Sequence, residues 1–228
     1  MFQRKAIQKI LQKAHAIDRD YLRFGARTHR YRLNPPIEPT AAHAIEKTYG
    51  FTLPEEYFRF ITQVADGGAC VSYGINPLAN LTNTTAYRKT GTAKKPYQGD
   101  LSTPFLPRAM RPEEVLNYTY TEAAYKEAPH TFFVFEALDE EDHEYIHCMD
   151  GYLPLGTHGC QWDFGIIVAG DHRGQVFDTD NQGAYRFIAK GFDAFYQDWL
   201  DQMRDTAALE KEVAEQKRRI RAAKKQKG

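Results

Sequence analysis

Residues 151–183, GYLPLGTHGCQWDFGIIVAGDHRGQVFDTDNQG, restrict the possible folds more than any other stretch of this chain. Gln161 to Ala169 alternates and then runs apolar through Trp162, Phe164, Ile166, Ile167 and Val168. That pattern predicts a central strand whose far end is covered on both faces. Gly170-Asp171-His172-Arg173-Gly174 follows, with two glycines free to take positive φ and an Asp able to bond its own backbone, so a hairpin loop is expected. Gln175-Val176-Phe177 returns as the partner strand. Leu153-Pro154-Leu155-Gly156 precedes it as a short strand whose proline is confined to an edge or a strand start. A mostly antiparallel sheet results.

The chain has 228 residues, 42% of them apolar, enough for one full core that buries roughly 70% of the unfolded surface. One domain with appendages is expected. No run of about 18 apolar residues exists, which excludes a transmembrane helix. Residues 1–30 are amphipathic and basic, without the apolar stretch and small-residue cleavage site of a secretory signal, so a cytoplasmic protein is expected. The three cysteines, Cys70, Cys148 and Cys160, are odd in number and at no zinc spacing, which fits a reducing compartment.

A formal net charge of zero conceals an asymmetry. Residues 1–33 hold nine Lys/Arg against two acids, and residues 209–228 hold eight against three. Residues 34–208 are left with 13 basic side chains against 25 acidic ones. A body near −12 argues against nucleic-acid binding through the core, because phosphate contacts need a basic face. It suits a basic protein partner.

Phe2, Ala6, Ile10, Ala14, Ile17, Tyr21 and Phe24 recur at helical spacing ahead of Gly25. They predict an amphipathic helix, either a basic arm for membrane or nucleic acid or, more simply, a helix packed on the body. Arg27 to Pro39 reads as a linker, and Thr40 as the cap of a second helix running to Tyr49 and closed by Gly50. Pro54, Glu55 and Glu56 open a third helix with a buried stripe of Leu53, Tyr57, Phe60, Ile61 and Val64. That helix stops at Asp66-Gly67-Gly68. Cys70 to Ile75 reads as a strand and Asn76 to Pro107 as an inserted loop. A helix is expected from Arg111 to about Lys126, a strand over Thr131 to Phe135, and an acidic turn over Ala137 to Glu144. Phe192, Phe195, Trp199 and Met203 predict a last helix that lays aromatics on the sheet, and beyond Ala208 the basic tail reads as a frayed, solvated helix. The chain thus divides into residues 1–39, an α+β domain over 40–208 with an insertion at about 76–107, and a tail over 209–228.

The helix opening Leu53-Pro54-x-x-Tyr57-x-x-Phe60 and ending Asp66-Gly67-Gly68, then Leu153-Pro154-Leu155-Gly156, the aromatic strand Trp162 to Val168, Gly174-x-Val176-Phe177 and the closing aromatic helix resemble the SUKH superfamily. That group includes fungal cell-wall-assembly regulators and many bacterial immunity proteins. The resemblance covers about Ala41 to Leu200. It implies an α+β fold, with one mixed or antiparallel sheet flanked by helices, and a role in binding a protein, in bacteria usually a toxin domain and often a nuclease. His158-Gly159-Cys160 stands where that group often has an acidic residue after the glycine.

Two chemical readings compete with it. His143, His147, Cys148, His158, Cys160 and His172 lie within 30 residues, but their spacings match no standard zinc site. Asp163, Asp171, His172, Asp178 and Asp180 surround the hairpin, where turns already call for aspartates. No nucleophile elbow, phosphate loop, dinucleotide fingerprint or metalloprotease helix motif is present. The reading is therefore a non-enzymatic module without metal or cofactor, most simply an immunity protein whose acidic face occludes a basic toxin. Glu140, Glu141, Asp142, Glu144, Tyr152, Asp163, Asp178 and Asp180 are its candidate contact residues. The alternative is a scaffold in envelope or signalling regulation.

Overall fold

A computed structural model describes residues 2–93, 95, 98–106, 108–109, 131–133, 149–160, 162–179 and 184–225. The expected helix over 111–126 and the acidic turn over 137–144 lie outside these residues. Six helices are described: α1 (Arg4–Ile17), α2 (Ala26–His29), α3 (Pro39–Tyr49), α4 (Glu55–Gln63), α5 (Phe192–Arg204) and α6 (Thr206–Lys225). The strands are β1 (Arg108–Ala109), β2 (Thr131–Phe133), β3 (Tyr152–Gly159), β4 (Trp162–Ile167), β5 (Val176–Thr179) and β6 (Ala184–Ala189). Strands β3 to β6 form a four-stranded antiparallel meander, which the two short strands extend in the order β1-β2-β6-β5-β4-β3. The fold is α+β.

The stripe on α4 is buried as its spacing requires, with Tyr57, Phe60 and Ile61 each at 2% exposure or less. Phe60 meets Phe192 and Tyr196 of α5 at ring-centroid distances of 4.8 and 4.6 Å. Such buried aromatics stabilise by roughly 1.5–3 kcal/mol each. The two helices also finish one another's ends. Gly191, the N-cap of α5, has no side chain to offer, and Glu56 of α4 accepts from the Asp193 backbone N–H at 2.9 Å instead. A Cβ at Gly191 would fall 2.6 Å from that carboxylate, so a larger residue there would have to push Glu56 aside. At the other end of α4, the Arg4 guanidinium donates to the carbonyls of Val64 and Asn34.

Both faces of the sheet are covered. Phe164, Ile166 and Val176 join the core beneath the helices, while Phe105, Tyr152, Ile167, Phe177 and Tyr185 form a smaller aromatic cluster on the reverse face. This is why β4 turns from alternating to continuously apolar at its far end.

Several expectations are corrected. Helix α1 stops at Ile17, because the Asp18 carboxylate takes the Leu22 and Arg23 N–H groups at 2.7 and 3.2 Å and turns the chain. Its buried residues Ile7, Leu11 and Ala14 pack on the body, against α5 and α6. Helix α3 begins at Pro39 with Glu38, not Thr40, as its N-cap. Cys70 to Ile75 is no strand: Gly68 and Ile75 exchange two hydrogen bonds of 2.8 Å, and the residues between them form turns. Within the expected insertion, Leu78, Leu81, Tyr87, Leu101 and Phe105 are buried. The Tyr87 hydroxyl also donates to the Tyr152 carbonyl at 2.8 Å, so these residues are built into the core. The tail is the expected helix, running to Lys225, but it is not wholly solvated: Leu209 and Val213 are buried and Glu212 is paired with Arg23 at 2.7 Å.

Candidate functional site

Three unusual backbone positions converge at one end of the β3–β4 hairpin. His158 is the extra residue of a β-bulge, where the register shifts between Thr157 and Gly159. Cys160 at the hairpin turn and Ser72 in the facing turn both take φ of 50°, a left-handed conformation that strains a non-glycine residue. Bulges re-aim side chains, and strained residues persist where the surroundings hold them. Here they hold a polar chain.

Ser72 Oγ and His158 Nδ1 are 2.7 Å apart, and His158 Nε2 is 2.9 Å from Asp178 Oδ1. A neutral imidazole satisfies both contacts by donating from Nε2 to the carboxylate and accepting the serine hydroxyl at Nδ1. Arg186 of β6 donates to the second oxygen of Asp178, and its guanidinium carbon lies 5.5 Å from the centroid of Trp162. Asp178 is only 3% exposed. Its charge is therefore balanced by Arg186 on one side and its other oxygen satisfied by the imidazole N–H on the other, as a buried carboxylate requires.

An aromatic ridge is seated on this chain. The Tyr73 ring lies within 3.1 Å of where a Cβ on Gly159 would be and meets Phe24 edge-on at 5.2 Å. Phe24 is 62% exposed and Tyr73 37%. The N-terminal segment clamps the turn from outside, since a Cβ on Gly25 would fall 1.9 Å from the Ser72 carbonyl oxygen. Serine, imidazole and carboxylate in series resemble a nucleophile, base and orienting acid. In this protein the series ends on Arg186 and lies under a clamped turn. Exposed aromatics of this kind have the composition of a binding hot spot.

Of the contact residues expected from sequence, the three described ones, Tyr152, Asp163 and Asp178, do not share one face. Phe164 pairs with Asp178 and Asp163 with Thr179, so by the two-residue pleat Asp163 points to the reverse face and Asp178 to the helical face. Tyr152 belongs with Asp163 but is fully buried, its ring lying across Gly165, and burial raises its phenol well above the usual range. Asp163 is half-buried. Glu140, Glu141, Asp142, Glu144 and Asp180 lie outside the described residues, as do His143, His147 and Cys148. His158 is engaged by Ser72 and Asp178, and among the described residues no group of three or more His, Cys, Asp or Glu side chains converges as metal ligands would. Sequence reasoning missed Ser72, Tyr73 and Arg186. Only the Arg186 position carried a signal, the alternation Tyr185-Arg186-Phe187-Ile188 that makes β6.

The family whose model is described as SMI1 / KNR4 family (SUKH-1) matches residues 36–198. Comparison with curated proteins and with solved structures found no match. Among the described residues no helix is long and apolar enough to cross a membrane.

Proposed function

Because the chain belongs to the SMI1 / KNR4 family (SUKH-1), we propose that it is a non-enzymatic protein-binding module, an immunity protein that neutralises a cognate toxin domain in the bacterial cytoplasm. The observation that carries the proposal is the charge distribution: 25 acidic against 13 basic residues over 34–208, the span that contains nearly all of the family match. An acidic body draws in a basic partner and raises the association rate, while buried aromatic contacts supply most of the affinity. Glu140, Glu141, Asp142, Glu144, Asp163 and Asp180 are the proposed charged contacts. Tyr152 and Asp178 support them from within the sheet, and Phe24 and Tyr73 add exposed anchors. The toxin would be a basic domain, such as a nuclease, whose active site is covered.

The test is binding kinetics against the partner. Reversing Glu140, Glu141 and Asp142 together to lysine slows association by about tenfold or more and weakens its salt dependence. Unchanged kinetics remove that face from the proposal.

One observation favours a second reading, a scaffold whose tail touches an anionic surface: every residue from Lys217 to Lys225 is exposed on α6. The two readings separate on a truncation after Gln216, which spares the buried Leu209 and Val213. Neutralisation survives it under the immunity reading, whereas localisation is lost under the scaffold reading.

A further inference from the structure

The N-terminal segment, outside the family match, builds a cleft of its own. Five non-glycine residues among those described have positive φ, and three of them, Tyr21 (52°), Arg30 (50°) and Tyr31 (55°), lie between α1 and α3. The strained hook they form bounds a cleft of about 320 Å³ whose walls include Gln8, Gln12, His15, Arg30, Tyr31 and Arg32. This is at the lower end of small-molecule sites.

The chemistry of the lining is uneven. The rings of His15, Tyr21 and Tyr31 lie nearly parallel, with interplanar angles of 11°, 25° and 24° and centroids 5.0–6.4 Å apart. Tyr31 is fixed by its hydroxyl, which donates to Asp18 at 2.8 Å, and by its backbone N–H, which donates to His29 Nδ1 at 3.0 Å. His15 and Tyr21 remain half-exposed at the rim. Against these rings stand two guanidinium groups on exposed residues, Arg30 and Arg32, neither with a carboxylate partner among the described residues. The nearby acids are committed elsewhere. Asp18 is buried and takes three hydrogen bonds, and Asp20 lies 3.7 Å from Lys217. Guanidinium forks suit phosphate oxygens, flat rings suit a heteroaromatic base, and glutamine amides supply neutral donors and acceptors.

We infer that this cleft binds a mononucleotide-sized organic phosphate, its phosphate held by Arg30 and Arg32 and its planar ring stacked on His15, which Tyr21 backs from outside the cleft. The site is independent of the toxin-binding reading, since none of its residues falls within residues 36–198.

Isothermal titration of the full chain with AMP tests it, alongside inorganic phosphate, adenosine and a short single-stranded RNA. AMP is expected to give a saturable isotherm, with inorganic phosphate and adenosine each at least about tenfold weaker because each keeps half of the contacts. The double variant Arg30→Gln/Arg32→Gln, with its melting temperature checked, loses AMP affinity by about tenfold or more, and His15→Ala loses it without affecting phosphate. Three results overturn the inference: no saturable AMP binding at millimolar concentration, equal affinity for AMP and inorganic phosphate, or an affinity unmoved by the double variant. RNA binding tenfold tighter than AMP overturns it in favour of a strand.

Discussion

Asp18 and Asp178 are almost equally withdrawn from water, at 1% and 3% exposure, yet the two regions satisfy them by opposite means. Asp18 is met by neutral donors close in sequence: the N–H groups of Leu22 and Arg23 and the phenol of Tyr31. Asp178 is met by side chains from different strands, His158 of β3 and Arg186 of β6, and the chain continues to Ser72, 86 residues from His158. The first network shapes one segment and closes on itself. The second ties distant elements together and leads outward to the surface at Arg186, Tyr73 and Phe24. A buried carboxylate thus marks local architecture in one place and a supported surface in the other.

Removing the carboxylates separates the two cases most strongly. Asp18→Ala leaves two backbone N–H groups and a buried phenol without an acceptor, and should cost about 2–4 kcal/mol in urea unfolding. Asp178→Ala should cost less, about 1–3 kcal/mol, because Arg186 is half-exposed and rehydrates. Equal losses would erase the distinction drawn between them.

The N-terminal network also carries a pH signature. Burial first, and Arg23 second, lower His29 from 6.5 to about 4 against the opposing pull of Asp18. Between these values the unfolded chain binds more protons than the folded one. Stability is therefore complete above 6.5 and falls as pH drops towards 4, by about 2–3 kcal/mol. In His29→Gln this slope is absent from pH-dependent melting curves; an unchanged slope would place the acid sensitivity elsewhere.

The smallest effect distinguishes the two strained residues of the hairpin site. Cys160→Gly relieves the left-handed backbone at an exposed turn and should raise stability by about 0.5–1 kcal/mol. Ser72→Gly gains the same relief but loses the bond to His158, so its melting temperature should stay within about 2 °C of the parent. A loss in the first variant would show that Cys160 makes a contact the geometry does not account for.

Local rules made most of the fold legible. The α4 stripe, the glycine closing α3, the edge position of β3, the hairpin at 170–174 and the aromatic face of α5 all follow from residues adjacent in sequence or one turn apart. What was not legible depends on distant partners. Ser72 lies in a stretch that reads as a strand, and only the pairing of Gly68 with Ile75 turns it towards His158. Arg186 is an ordinary surface arginine until β6 pairs with β5. Leu209 and Val213 read as a fraying tail until α1 gives them a surface to pack on. Asp163 and Asp178 do not share a face because Asp163 is in register with Thr179 and Asp178 with Phe164, and successive residues of a strand point to opposite sides, which the residue list alone conceals.

The central claim, that this is a binding module for one basic protein, is tested most directly by affinity capture of the tagged chain from its source lysate. Partners are identified by mass spectrometry after low-salt and high-salt washes, and the Phe24→Ala/Tyr73→Ala variant is run in parallel. The account predicts one dominant basic protein with a toxin domain, held in near-equal amount, thinned by high salt and lost with the ridge variant. Recovery of several unrelated proteins, or of the same set from the parent and the ridge variant, would contradict it.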